Sequence, residues 1–147
     1  MDPKRLNELT TSFLINSSQS AYVESAEGTL SIIECYSDFF RYATGGIRRE
    51  TLFKELEILD RFVKFHKIRY HDCVQVHVKN DPAFKSVFVK SMSAIDFFDA
   101  MIYDVFENAA FEIKAAVTAN VSEDQAVLTV RLSYGEKSIT RSKVLTD

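Results

Sequence analysis

The apolar residues of this chain keep one period as far as residue 72 and first change it near residue 73, and that change narrows the folds open to it. Up to Asp72 they recur at helical spacing. Beyond it Val74, Val76 and Val78 alternate with Gln75 and His77, the two-residue period of a strand. Three helices are predicted before the switch. The first runs from Pro3 to about Glu24 on a broken stripe of Leu6, Leu9, Phe13, Leu14 and Ala21. The second carries Leu30, Ile32, Ile33, Tyr36, Phe39, Phe40 and Ala43 and ends at Gly45-Gly46; the third opens near Thr51 with Leu52, Leu56, Leu59, Phe62, Val63 and Phe65. After the switch, Ser93-x-x-Asp96 reads as a capping box opening a fourth, strongly apolar helix through Ile95, Phe98, Met101, Ile102, Val105, Phe106 and Ala109. Lys114 to Val121 and Gln125 to Ser133 form an antiparallel hairpin, and Lys137 to Val144 an edge strand protected by Arg141 and Lys143.

This order predicts an α+β protein: a helical hairpin over residues 1–46, then a small α/β sandwich with a mainly antiparallel sheet over residues 47–147. The second helix is apolar on two faces, which a lone hairpin cannot cover. A homodimer whose hairpins form a four-helix bundle would cover both, with Phe13, Leu30, Ile33, Phe39 and Phe40 as its core. Arg48-Arg49, beside the paired glycines, reads as a solvated joint between the two parts.

Composition narrows the function. A net charge of -3 argues against nucleic acid as a partner. No apolar run reaches membrane-spanning length, and MDPKRLNEL is too charged for a signal peptide. Cys35 and Cys73 lie far apart and form no C-x-x-C, which suits reduced, buried thiols and a cytoplasmic setting. His66, His71 and His77 have no metal-ligand spacing and read as ordinary surface or half-buried residues, so no metal site is assigned.

One stretch resists this plain reading. SFLINSSQS, residues 12–20, places Ser12, Asn16, Ser17, Ser18 and Ser20 within an otherwise apolar helix, although these residues prefer caps and turns. TTSFLINSSQS resembles the phosphoacceptor segment N-P-H-F-L-F-N-x-L-N-S of the LytS/YehU type of bacterial sensor histidine kinase, keeping Phe13, Leu14, Asn16 and Ser20. YSDFFRY, residues 36–42, resembles that family's L-S-D-L-L-R-Y. LFKELEILDRFVKFHKIRYHD, residues 52–72, follows its next segment without a gap, keeping Leu52, Glu55, Leu56, Arg69 and Asp72. FENAAFEI, residues 106–113, falls where the family has V-E-N-A-x-K-H-G. The four stretches keep the family's order from about residue 6 to 135.

The resemblance implies a dimerising phosphoacceptor hairpin followed by a GHKL ATPase-like domain, here degenerate and truncated. It places the family's phosphoacceptor histidine on Ser12, and with it a partner-docking face of Ser12 and Asn16. It also makes Glu107 and Asn108 the remnant of the nucleotide and magnesium box. The departures remove the chemistry. Phosphotransfer needs an imidazole nucleophile, which a serine hydroxyl does not replace without an added base. The box's Lys and Gly become Phe111 and Ile113, and its adenine-binding Asp-x-Gly becomes Leu132-Ser133-Tyr134-Gly135, with no carboxylate. The reading is therefore a non-catalytic histidine-kinase-like signalling protein with no catalytic residue and no cofactor. It would act as adaptor or inhibitor, binding a response regulator or a sensor kinase. The alternative is a phosphotransfer protein or residual kinase with a displaced histidine and weak ATP and magnesium binding.

Overall fold

The computed structural model describes residues 2–23, 26–46, 48–70, 74–106, 112–123 and 125–146. In chain order the elements are α1 (Pro3–Val23), α2 (Ala26–Thr44), β1 (Arg49–Thr51), α3 (Leu52–Tyr70), β2 (Val74–Val78), a 3-10 turn (Pro82–Ser86), β3 (Phe88–Lys90), α4 (Ser93–Phe106), β4 (Ile113–Val121), β5 (Ala126–Tyr134) and β6 (Lys137–Val144). Local chemistry sets several of these limits. Asp2 caps α1 by accepting the Lys4 N–H at 2.7 Å, and Pro3 supplies a first helical residue with its φ already fixed. Beyond α2, Gly46 adopts φ +83°, a left-handed conformation that glycine alone enters without strain. Thr51 caps α3 by accepting the Lys54 N–H at 3.2 Å.

Four strands form the main sheet in the order β2-β4-β5-β6. β2 and β4 run parallel, with α4 in the crossover between them; β4, β5 and β6 are antiparallel. The β4–β5 hairpin pairs Ile113 with Tyr134 through to Val121 with Ala126. Ile113, Ala115 and Val117 alternate inward with Leu128, Val130 and Leu132, and all six are buried. Lys114, Ala116, Thr118 and Arg131 are exposed on the opposite face, so the sheet is covered on one side only. The core beneath it is continuous: Leu9 of α1, Phe39 of α2, Phe62 of α3, Ile95 of α4 and Val130 of β5 belong to one buried cluster.

Two features depart from the sequence reading. The first is the joint. β1 and β3 pair as a two-stranded ribbon, Arg49 opposite Lys90 and Thr51 opposite Phe88. Arg48 is held there by Glu50 at 2.9 Å and lies over the Tyr42 ring at 4.9 Å. It is therefore engaged by both parts of the chain, although it remains exposed. The second is the start of α4. Ser93 does not cap it, because its hydroxyl donates to the Lys90 carbonyl at 2.6 Å. Glu55 of α3 takes that role, accepting the Ala94 N–H at 2.9 Å and the Met92 N–H at 3.1 Å. A carboxyl group has two oxygens, so Oε1 serves Ala94 while Oε2 serves Met92, which one hydroxyl oxygen engaged with Lys90 does not do.

Candidate functional site

Phe13 of α1 stacks on Tyr36 of α2 with ring centroids 4.1 Å apart and 10° between planes, fixing the register of the hairpin. Tyr36 also shares a short hydrogen bond with Thr10. α2 then lays Tyr36 and Phe39 on Phe65 of α3 at 5.3 Å and 5.2 Å. Arg61 of α3 reaches Asp38 of α2 at 2.7 Å. The N-terminal half of α1 is tied to α4 instead: Arg5 binds Asp99 through two hydrogen bonds of 2.8 Å and 2.6 Å and covers the Tyr103 ring.

The C-terminal half of α1 is turned inside out. Ser12, Asn16, Ser17 and Ser20 are half-buried, whereas Leu14, Ile15, Tyr22 and Val23 are 59%, 54%, 94% and 82% exposed. α2 shows the same outward apolarity, with Leu30, Ile33 and Phe40 exposed, while Cys35, Tyr36, Phe39 and Tyr42 on its other side are buried. Leu30, Ile33 and Phe40 are spaced by three and seven residues, a single stripe along the helix. Of the residues read as a dimer core, Phe13 and Phe39 pack within one chain, and Leu30, Ile33 and Phe40 face outward. Leu14 and Ile15 carry the outward stripe onto α1. Their signal in the sequence was an apolar pair on the side opposite Phe13 and Asn16.

Ser12 and Asn16 share a face, as their spacing requires, and that face looks toward α3. Together with Leu9, Phe13, Phe65 and His66 they line a small cleft between the two helices. The structure thus brings His66 beside Ser12, a juxtaposition that 53 intervening positions hide in the sequence. His66 is buried, its ring stacked on Phe65 and tilted over Phe62. Burial also pushes the Cys35 thiol above its ordinary range. Of the other singled-out residues, His77 is exposed on β2, whereas His71 and Cys73 lie outside the described residues.

The nucleotide remnant Glu107 and Asn108 also lies outside the described residues. The positions next to it are described. Ile113 and Leu132 are buried in the core, and Tyr134 is half-buried. Met101, Asp104 and Val105 of α4 face Tyr134, Ile139 and Arg141 across a cleft of about 170 Å³. Small-molecule sites typically span ~300–1,000 Å³, so this cleft is small for one.

No protein-family model matches the chain, and no curated protein matches its sequence. Among the described residues no group of three or more His, Cys, Asp or Glu is arranged to hold a metal ion. No helix among them is long and apolar enough to cross a membrane.

Proposed function

We propose that this chain is a non-catalytic, cytoplasmic signalling protein of histidine-kinase type that acts by occupying a partner's surface. Its hairpin pairs with that of a second copy in a four-helix bundle, and its partner is a response regulator or a sensor kinase of the same type. One observation carries the reading: the outer side of α1 and α2 displays Leu14, Ile15, Leu30, Ile33 and Phe40, while Ser12, Asn16, Ser17 and Ser20 share the inner side of α1 with Leu9 and Phe13. Apolar stripes left in water on two adjoining helices mark an interaction surface. The four-stretch resemblance and a hairpin joined to an α+β layer support the kinase-like assignment, including a degenerate GHKL-like second part. The mechanism is blockade, either of a regulator's docking face or of an active kinase by a mixed dimer.

The test is competition. Added in excess to a working kinase of this type and its regulator, the protein slows phosphoryl transfer to the regulator, and Ile33→Glu with Phe40→Glu abolishes the effect. Transfer that proceeds unchanged refutes the proposal.

A second reading, phosphotransfer through a displaced histidine, draws on the position of His66 in the cleft of Ser12 and Asn16. It requires the cleft to open, since His66 is buried. Acid-labile label lost in His66→Ala would favour it over blockade.

A further inference from the structure

Opposite charges are unevenly distributed between the layers of this molecule. β4, β5 and β6 contain Lys114, Arg131, Lys137, Arg141 and Lys143 and no Asp or Glu. None of the five forms a salt bridge among the described residues; the pairs there lie on the helices and, for Arg48–Glu50, at the start of β1. β6 is the last strand of the sheet, and seven of its eight residues are exposed. Every second residue of such an edge turns its N–H and C=O outward, where only another extended chain can pair with them regularly.

The register specifies the side chains an added strand would meet. Lys137, Ile139, Arg141 and Lys143 lie opposite Tyr134, Leu132, Val130 and Leu128, hence on the core-facing side of the sheet, where Arg141 and Lys143 run alongside α4. Arg141 and Ile139 line the 170 Å³ cleft with Met101, Val105 and Tyr134. Asp104 lines it too, which disfavours a carboxylate entering there. Lys143 leans over Phe97 at 6.0 Å, its ammonium 3.5 Å from the Ser93 carbonyl.

We infer that β6 is a docking edge for an acidic extended segment of another protein, added antiparallel as a fifth strand. Residues directly across an antiparallel pair lie ~5 Å apart. The incoming strand therefore carries carboxylates opposite Lys143, Arg141 and Lys137 and an apolar side chain opposite Ile139, reaching the cleft. Read from its N-terminus the pattern is acidic-x-acidic-x-apolar-x-acidic. A second copy of β6 does not fit, because it would set three cations against three. Lysines on an edge also keep strands apart in general, but those same charges attract a strand of opposite sign. Nucleic acid is disfavoured because the exposed sheet face offers no Phe, Tyr or Trp for base stacking among the described residues, and only the single imidazole of His77: it presents Gln75, His77, Lys114, Ala116, Thr118 and Arg131.

The probe is the end-capped peptide Glu-Thr-Glu-Thr-Leu-Thr-Glu, titrated by fluorescence polarisation, with amide exchange recorded on the full chain. It binds, slows exchange within β6, and loses about tenfold in affinity in Arg141→Ser with Lys137→Ser. These are exposed positions whose change leaves the fold intact, and exchange mapping on the unaltered protein does not depend on them. Equal binding by the peptide with lysine in place of glutamate overturns the inference. So does protection confined to other elements, or tighter binding of single-stranded oligothymidylate.

Discussion

Three helices converge on Glu55. It is fully buried on α3, accepts the Tyr42 hydroxyl of α2 at 2.5 Å, and holds the first amides of α4. Met92, at the approach to α4, adopts φ +69°, unusual for a side-chain-bearing residue, and its N–H is among those Glu55 accepts. Burial raises the Glu55 carboxyl above its ordinary value of 4.5, opposed by the hydrogen bonds from Tyr42, Ala94, Met92 and Ile95. Burial and the neighbouring Glu55 raise the Tyr42 phenol as well. A raised carboxyl binds its proton more tightly folded than unfolded. This contribution is therefore most favourable below 4.5 and declines as pH rises through the folded-state value. Glu55→Ala should cost about 3 kcal/mol, because it leaves a cavity and buried amides without an acceptor. Glu55→Gln keeps one acceptor and should cost about 1–2 kcal/mol, while removing that decline. Denaturant melts of the three proteins across pH 4–7 measure both; parallel pH profiles for wild type and Glu55→Gln would contradict the titration.

At the scale of elements, α1 is the least securely held helix. Its inner side beyond Phe13 is polar, so its packing rests on Leu9, Phe13 and the Arg5–Asp99 pair. That pair is bidentate and its side chains are 14% and 12% exposed, little enough for solvent to screen it only weakly. Asp99→Ala should cost about 2 kcal/mol, since it removes two charge-assisted hydrogen bonds from a largely buried guanidinium and leaves it the longer contact to Glu8 at 3.7 Å. The loss should be local: amide exchange accelerates along α1 while β4 and β5 keep their protection. Uniform acceleration throughout the chain would show that α1 opens only with global unfolding.

For the whole molecule, the open question of packing is what covers the hairpin. Sedimentation at micromolar concentration should give a dimer, and Ile33→Glu with Phe40→Glu should give a folded monomer. Both side chains are already in water in the single chain, at 42% and 41% exposure, so charging them should cost the protomer only about 0.5 kcal/mol. A wild-type monomer would remove the bundle from the proposal. The dimer test is independent of the β6 edge, which lies on the sheet and not on the hairpin.

Local rules were enough to place most elements. Period, Pro3 and the Gly45-Gly46 pair marked α1, α3 and the end of α2 within a residue or two, and alternation found β2, the β4–β5 hairpin and β6 at Lys137–Val144. Those signals lie within a few residues of one another, where backbone geometry imposes them directly. α2, however, starts at Ala26 and runs through Glu27-Gly28-Thr29, which reads in the sequence as a break before Leu30. β1 and β3 escaped because three-residue strands have no period to read, and their pairing joins positions 37 to 41 residues apart. The parallel pairing of β2 with β4 depended on the path of α4 between them. The two-sided apolarity of α2 was visible in the sequence, but which side stayed wet depended on α3. The role of Glu55 had a faint trace, a carboxylate on the Leu52–Leu56–Leu59 stripe. Its acceptor work became defined only when α4 arrived 37 to 39 residues later. His66 beside Ser12, and Arg141 over the α4 cleft, are likewise products of helices meeting at a distance. The sequence by itself determined where the chain coils and extends, since those choices are made between near neighbours. Which polar groups meet, and which apolar faces remain open, only tertiary packing could decide, because burial belongs to surfaces that distant segments bring together.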